Sequence, residues 1–466
     1  MVYLQPDDWK KDSNMKLALG TLLLISLLNA ESLDDALDGF EDEVVVEKGV
    51  QSDDIMEGFD DAPSTVVSTS PTTQFGSEYF TGVTGKVTQQ VAYAYSADSP
   101  HNNISSLKTS LFVDYEHKFF NGFKFKVNGK AYYDAIYDIR GEEKYSSDEL
   151  RELRDEFEFF DFYVEGSLTD KLDMKLGHQV VVWGRSDTIR VTDILNPLDN
   201  RRPGMVDIED LRLPITMVKF DYFVGDWRVT PIAVLDQRFS KNPPSGSAFN
   251  PNPRPMPLHK AHSDITPALS IGGEFSGWDV NFYAAQVRDD AGYVEGKQIQ
   301  HDKVNMLGTA VNILKGSWLL KSELAYFDGL KYTSIPNKEF KRTDALVGLE
   351  YNGIPDTLIS YDVAVRNIHN YDERLRNELD ETEERTYQHA FRVSADFMNA
   401  SLKANYLISL FGSKLDEGGF QRAWVKYDIA DGIYANVGIV DYIGGSPRFD
   451  AVSNNDMAFM DVTYSF

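Results

Sequence analysis

The feature that most constrains this chain is a parity. From residue 75 to the C-terminus, segments of alternating apolar and polar residues repeat, and the connections between them are short and long by turns. The pattern predicts about 18 strands, near 77–96, 106–120, 123–138, 156–168, 171–184, 213–224, 227–237, 265–276, 278–289, 303–314, 317–333, 341–352, 357–369, 386–397, 400–411, 419–430, 433–443 and 455–466. A count of 16 is the alternative. Short turns include Asn121-Gly122, Gly225-Asp226, Lys315-Gly316 and Asp431-Gly432, whereas 140–155, 185–212, 238–264, 290–302 and 370–385 are long. A soluble sandwich has no reason to keep such a parity, but a membrane barrel does, with short periplasmic turns and long external loops. The expected fold is therefore all-β, one transmembrane antiparallel β-barrel over 75–466. An even strand count puts both ends on the periplasmic side. Pro231 falls inside the seventh strand, where a barrel without free edges predicts a bulge.

Composition agrees. Aromatics make up 12%, with 28 Phe and 24 Tyr, and mean hydropathy is −0.35, which suits half-exposed strands. A formal charge of −27 argues against nucleic acid as a partner. The absence of cysteine excludes disulfides, thiolate metal sites and a lipid-anchored N-terminal Cys. Near the start, Lys16 precedes an apolar run over 17–28 that ends at Asn29-Ala30. This reads as a secretory signal, with Met15 as the start and 1–30 as upstream residues plus signal. Residues 31–74 form an acidic periplasmic segment and a Ser/Thr/Pro linker. Ser32 can cap a short helix there, and an echo around Phe40 and Phe59 suits a plug or a docking peptide for a periplasmic partner. The last strand alternates to a terminal Phe466, the ending by which outer-membrane barrels are recognised by the assembly machinery. Outer-membrane lipid is the expected surround.

One connection stands apart. Residues 176–214 open with Val180, Val181, Val182 and Trp183, read as the end of a strand closing at Gly184. Roughly 28 residues then pass before the next strand, long for a connection and so functional or disordered. Ile189, Val191, Leu195 and Met205 make it too apolar for a solvated linker. It carries turn chemistry at Asn196-Pro197 and Pro203-Gly204, with Asp193, Asp199, Arg201, Arg202, Asp207, Glu209 and Asp210 between and after. Counted from the first strand it is the third external loop, which in general porins often folds inward and narrows the pore. We therefore expect 185–212 to line a constriction through Asp193, Asn196, Asp199, Arg201, Arg202, Asp207 and Glu209.

The order Gly177, Gln179, Val180, Val181, Trp183-Gly184, Asn196-Pro197, Asp199, Arg202-Pro203-Gly204, an acid near Glu209 and Pro214 resembles a family of Gram-negative outer-membrane proteins catalogued as a domain of unknown function, the 1302 family. The resemblance covers this stretch and the strand after it. It implies a porin-like β-barrel and involvement in moving hydrophobic compounds beside an inner-membrane pump. It supplies no catalytic residue.

No catalytic motif stands out. GxSxG, HExxH and P-loop patterns are missing, and no cofactor is implied. His259 and His262 are close in sequence, but in a Pro-rich loop that reads as plain surface. The acidic stretch 372–385 reads as a solvated loop. Lys108, Lys321, Arg366 and Lys426 share the expected lumen face with Glu323, Asp344, Asp362 and Asp428, so the sequence decides no ion preference. The function expected is a channel or transporter for a small solute or hydrophobic compound in the outer membrane of a Gram-negative cell. The competing classes are an outer-membrane lipase or protease assembled from separate strands and a structural or adhesive barrel.

Overall fold

Alternation with a period of two gives each strand one apolar and one polar face, and a sheet closed on itself sends the two faces to different solvents. The computed structural model describes residues 82–466, apart from Phe120, Asn121, Asp207 and Leu379 and the side chains of Ile208 and Glu209. The expected signal, the acidic segment and its Phe40 and Phe59 lie outside the described residues.

Within them the chain forms a closed 18-stranded antiparallel barrel. The first half comprises β1 (Val83–Ala94), β2 (Asn103–Lys118), β3 (Lys124–Asp134), β4 (Asp155–Thr169), β5 (Leu172–Gln179), β6 (Ile215–Val224), β7 (Trp227–Val234), β8 (Thr266–Phe275) and β9 (Trp278–Arg288). The second comprises β10 (Lys303–Lys315), β11 (Trp318–Leu330), β12 (Phe340–Ile354), β13 (Thr357–His369), β14 (Arg385–Phe397), β15 (Leu402–Phe411), β16 (Gly419–Ala430), β17 (Ile433–Ile443) and β18 (Met457–Ser465). Each strand pairs with its neighbours in the chain. β18 then returns to β1 in a register running from Lys86↔Ser465 to Ala94↔Met457. Gly85 and Phe466 exchange backbone bonds of 2.8 and 2.9 Å just below that register, so the terminal residue closes the ring and no edge is left.

The wall is two-faced throughout. Along β11, Trp318, Leu320, Leu324 and Tyr326 are exposed, whereas Lys321, Glu323, Ala325 and Phe327 are buried. Val87, Leu111, Phe157, Leu307, Val437 and Met460 continue the exposed apolar belt around the ring. Apolar outside and charged inside inverts the soluble rule and suits a lipid surround with a polar interior.

Two expectations need correction. The fifth strand ends at Gln179, not Gly184, because its ladder partner β6 starts at Ile215, directly opposite Gln179. Past that point the valines have no neighbour to pair with. Pro231 also needs no bulge. It pairs with Leu269 of β8, and the register with β6 is the same on either side of it, with the Phe220 and Asp221 pairings dropped. Its missing N–H costs a local rung of the ladder, and its ring stands on the exposed outer face. A bulge occurs elsewhere, between β3 and β4, where the Asn128 side chain accepts from Asp161 N at 2.8 Å and donates to its carboxylate at 2.9 Å.

Candidate functional site

The 180–214 connection is built from its neck. Gly177, at φ +137°, lets β5 pass so close to β4 that a Cβ there would stand 2.2 Å from the Phe162 carbonyl oxygen. Beyond Gln179 the backbone leaves the ladder, and loop side chains take over its hydrogen bonds. Val181 N donates to Asn196 Oδ1 at 2.8 Å and Trp183 N to Asp193 Oδ1 at 3.4 Å. Asn196 Nδ2 donates to the carbonyls of Gln179 (3.2 Å) and Leu213 (2.9 Å), tying together both ends of the loop. Leu213 N to Pro197 O and Asp199 N to Leu211 O, each 2.7 Å, complete the neck.

The next stretch, 183–192, is bonded to the buried face of β9 to β13. Trp183 stacks on Tyr283 with centroids 4.7 Å apart and planes at 23°, and Gly184 N donates to the Tyr283 hydroxyl at 3.2 Å. The carboxylate of Glu323 is the hub. One oxygen accepts from Arg185 N (2.6 Å) and Ser186 N (2.9 Å), the other from Thr192 N (3.1 Å) and Thr192 Oγ1 (2.7 Å). Asp362 accepts from the hydroxyls of Ser186 and Thr188, both at 2.6 Å. Arg185 pairs with Asp279, and Lys321 bridges Asp187 (3.0 Å) and Glu350 (2.9 Å). Four donors satisfy one buried carboxylate, which is what makes its burial tolerable. Ile189, Val191 and Leu195 join a core that contains Ala310, Ala325 and Ala364, small wall residues that leave room for them.

The stretch 199–205 bonds to other strands. Arg201 holds Asp199 at 2.8 and 2.6 Å and reaches Glu156 of β4 at 2.7 Å. Burial opposes ionisation of Asp199, but its bonds to Arg201, with Lys241 near, outweigh it and hold the carboxyl below its ordinary value. Arg202 pairs at 3.2 Å with Asp134 of β3, whose carboxylate also accepts from Ser106 Oγ (2.6 Å) and Leu107 N (2.7 Å). The Tyr442 hydroxyl of β17 donates to Pro203 O at 2.5 Å, and Met205 packs with Trp424, Val440 and Phe459.

Of the residues expected to act together, Asp193 meets Arg190 (3.1 Å) and Arg212 (2.9 Å), Asn196 serves the neck, and Asp199 joins Arg201. Asp193, Asn196 and Arg201 are buried, while Asp199 and Arg202 keep partial exposure. Asp207 and the Glu209 side chain lie outside the described residues. Sequence reasoning missed Arg190, Arg212, Tyr283 and Asp279. A signal for the docking wall was available in the small residues Gly308, Ala310, Ala325 and Ala364, which fall on the same face of β10, β11 and β13. His259, His301 and Phe239 stack in the long loops, with a 2.9 Å bond between the two imidazoles. Among the described residues no cluster of His and acids is arranged to hold a metal, and no serine hydroxyl is bonded to a histidine.

Fold and loop together define a porin-like barrel. Solved structures agree on the fold: OccAB3 of Acinetobacter baumannii is similar with a TM-score of 0.51 at 12% identity, covering 82% of this chain and 98% of that one. OpdK of Pseudomonas aeruginosa, an outer-membrane protein, has a TM-score of 0.50 at 8% identity, with the same coverage. A structure of OpdK with vanillate gives 0.50 at 10%. No curated protein matches the sequence. The family described as "Protein of unknown function (DUF1302)" matches residues 95–466, and the chain belongs to it.

Proposed function

We propose that this protein is an outer-membrane channel of a Gram-negative bacterium that passes a small solute or hydrophobic compound, and that 185–212 folds inward as its constriction. One observation carries the reading. The loop is bonded to the buried, charged faces of strands that stand across the ring from each other, Glu323 of β11 at one end and Asp134 of β3 with Tyr442 of β17 at the other. A segment tied to both walls spans the interior and divides its cross-section. Asp193, Asn196 and Arg201 brace it. Arg202 ties the loop to Asp134, and the partly exposed faces of Asp199 and Arg202 line the path. The exposed apolar belt contacts outer-membrane lipid, Phe466 engages the assembly machinery, and the acidic residues 31–61 meet a periplasmic partner.

The test uses the absence of native cysteine. Purified full-length chain in a planar bilayer conducts, and a methanethiosulfonate reagent reduces the single-channel current of Arg202→Cys but not that of the belt variant Leu324→Cys. A folded barrel without conductance refutes the channel. Conductance indifferent to modification at Arg202→Cys refutes the constriction alone.

A further inference from the structure

Most inward acids of the wall are answered by a base or by loop donors, so the field in the lumen is set where the balance fails. It fails beside the loop, on β12 and β13. Arg342 donates to Asp344 Oδ1 at 2.8 Å and lies over the Phe327 ring at 4.7 Å. Arg366, in register with Asp344, reaches its second oxygen only at 3.5 Å and the Arg190 carbonyl only at 3.4 Å. Its side chain is 43% exposed while Asp344 is 2% exposed, so the guanidinium stays accessible where its carboxylate partner is not. Arg190 stands beside it, and Arg448, from the short helix Pro447–Asp450 in the last long loop, adds a further positive charge to the field there. The carboxylates within ion-pair distance of Arg342, Arg366 and Arg190 are Asp344 and Asp193. Asp193 is already shared by Arg190 and Arg212. Within ion-pair distance, four arginines therefore meet two acids, in a chain whose net charge is −27.

We propose that Arg366, with Arg342 and Arg190, is an anion seat on the lumen wall, and that the solute it admits carries a carboxylate or phosphate group. The seat rests on the channel reading for its role in transport. A planar guanidinium with free donors is suited to an oxyanion, which can take two parallel bonds from it. The paired Arg342 fixes Asp344, so Asp344 cannot turn to satisfy Arg366. Set against the loop at the Arg190 carbonyl, such a seat concentrates anions beside it.

The experiment measures reversal potential across a KCl gradient for the full chain in planar bilayers, and separately the binding of inorganic phosphate to the purified barrel by calorimetry. The wild type is expected to favour chloride over potassium. Arg366→Gln should lower that preference by about threefold, the scale of one solvated charge at close range, and should abolish phosphate binding. Arg366→Lys should keep the chloride preference and weaken phosphate binding, because the fork geometry is lost. A cation-selective wild type, or a folded Arg366→Gln channel with unchanged selectivity and phosphate affinity, overturns the seat and leaves the channel standing. A folded barrel that conducts nothing refutes the channel, and phosphate binding lost in Arg366→Gln still decides the seat.

Discussion

The wall and the 180–214 loop are held by different physics. The wall repeats one device in every strand, a ladder of backbone bonds with side chains alternating between two solvents. Its stability is spread over the ring, and no single polar contact decides it. The loop has no ladder. Its position rests on a few buried groups, Glu323, Asp362, Asn196 and Asp134, each satisfied by several partners. Distributed and concentrated anchoring respond to mutation in opposite ways. A wall should tolerate most single changes and fail only where strands approach too closely. The loop should be released by one well-chosen change while the barrel stays intact.

The largest effect is expected at that close approach. Gly177→Val places side-chain atoms against the Phe162 carbonyl and forces a β-branched residue to φ +137°. This combination should cost more than about 4 kcal/mol and prevent folding, seen as loss of the heat-modifiable band on gels. Next comes the loop. Glu323→Ala orphans four donors, at about 1–3 kcal/mol for each that stays buried. Backbone amides of 184–192 should then exchange hydrogen far faster while the strands remain protected. Equal protection across loop and wall in this variant would erase the distinction drawn here.

A smaller effect should come from pH. Two of the long loops are joined where Leu258–His259 pairs with Gln298–Ile299, backed by the His259–His301 bond. Burial lowers the His301 pKa to about 4 from an ordinary value near ~6.5, so its contribution is full above that value and is lost as pH falls towards 4. Neighbouring Asp289 is pushed up by burial to about 6, so its contribution has the opposite sign and is lost as pH rises through 6. The two oppose each other in the wild type. Asp289→Asn should uncover the histidine and make protease cleavage in 250–262 rise on acidification from 6.5 to 4. The smallest effect is expected from Pro231→Val. It returns an N–H donor to the rung that β6 lacks, on the lipid-facing side, and should leave melting unchanged or raise it by less than about 1 kcal/mol equivalent.

The same contrast explains what was legible in the sequence. All 18 strands could be placed because alternation and turn residues are local signals. The lumen face of Lys321, Glu323 and Asp362 was readable too, since parity alone assigns it. The fifth strand was extended too far because β-branched residues report strand propensity and not the presence of a partner. Val180 to Val182 have the propensity, but the Val181 amide is met by Asn196 and that of Trp183 by Asp193. The loop's partners lie more than a hundred residues away, Glu323 for Arg185 and Tyr442 for Pro203, and no spacing rule connects them. Only the small inward residues Ala310, Ala325 and Ala364 hinted that something must fill the space beside them.

The central claim is that this loop sets the width of the path. It is tested most directly by replacing 185–212 with a short Gly-Ser linker and comparing single-channel conductance of the folded trimmed barrel with that of the wild type. A clearly larger conductance with weakened ion selectivity is the predicted result. An unchanged or smaller conductance in a trimmed barrel that still shifts on heating would contradict it.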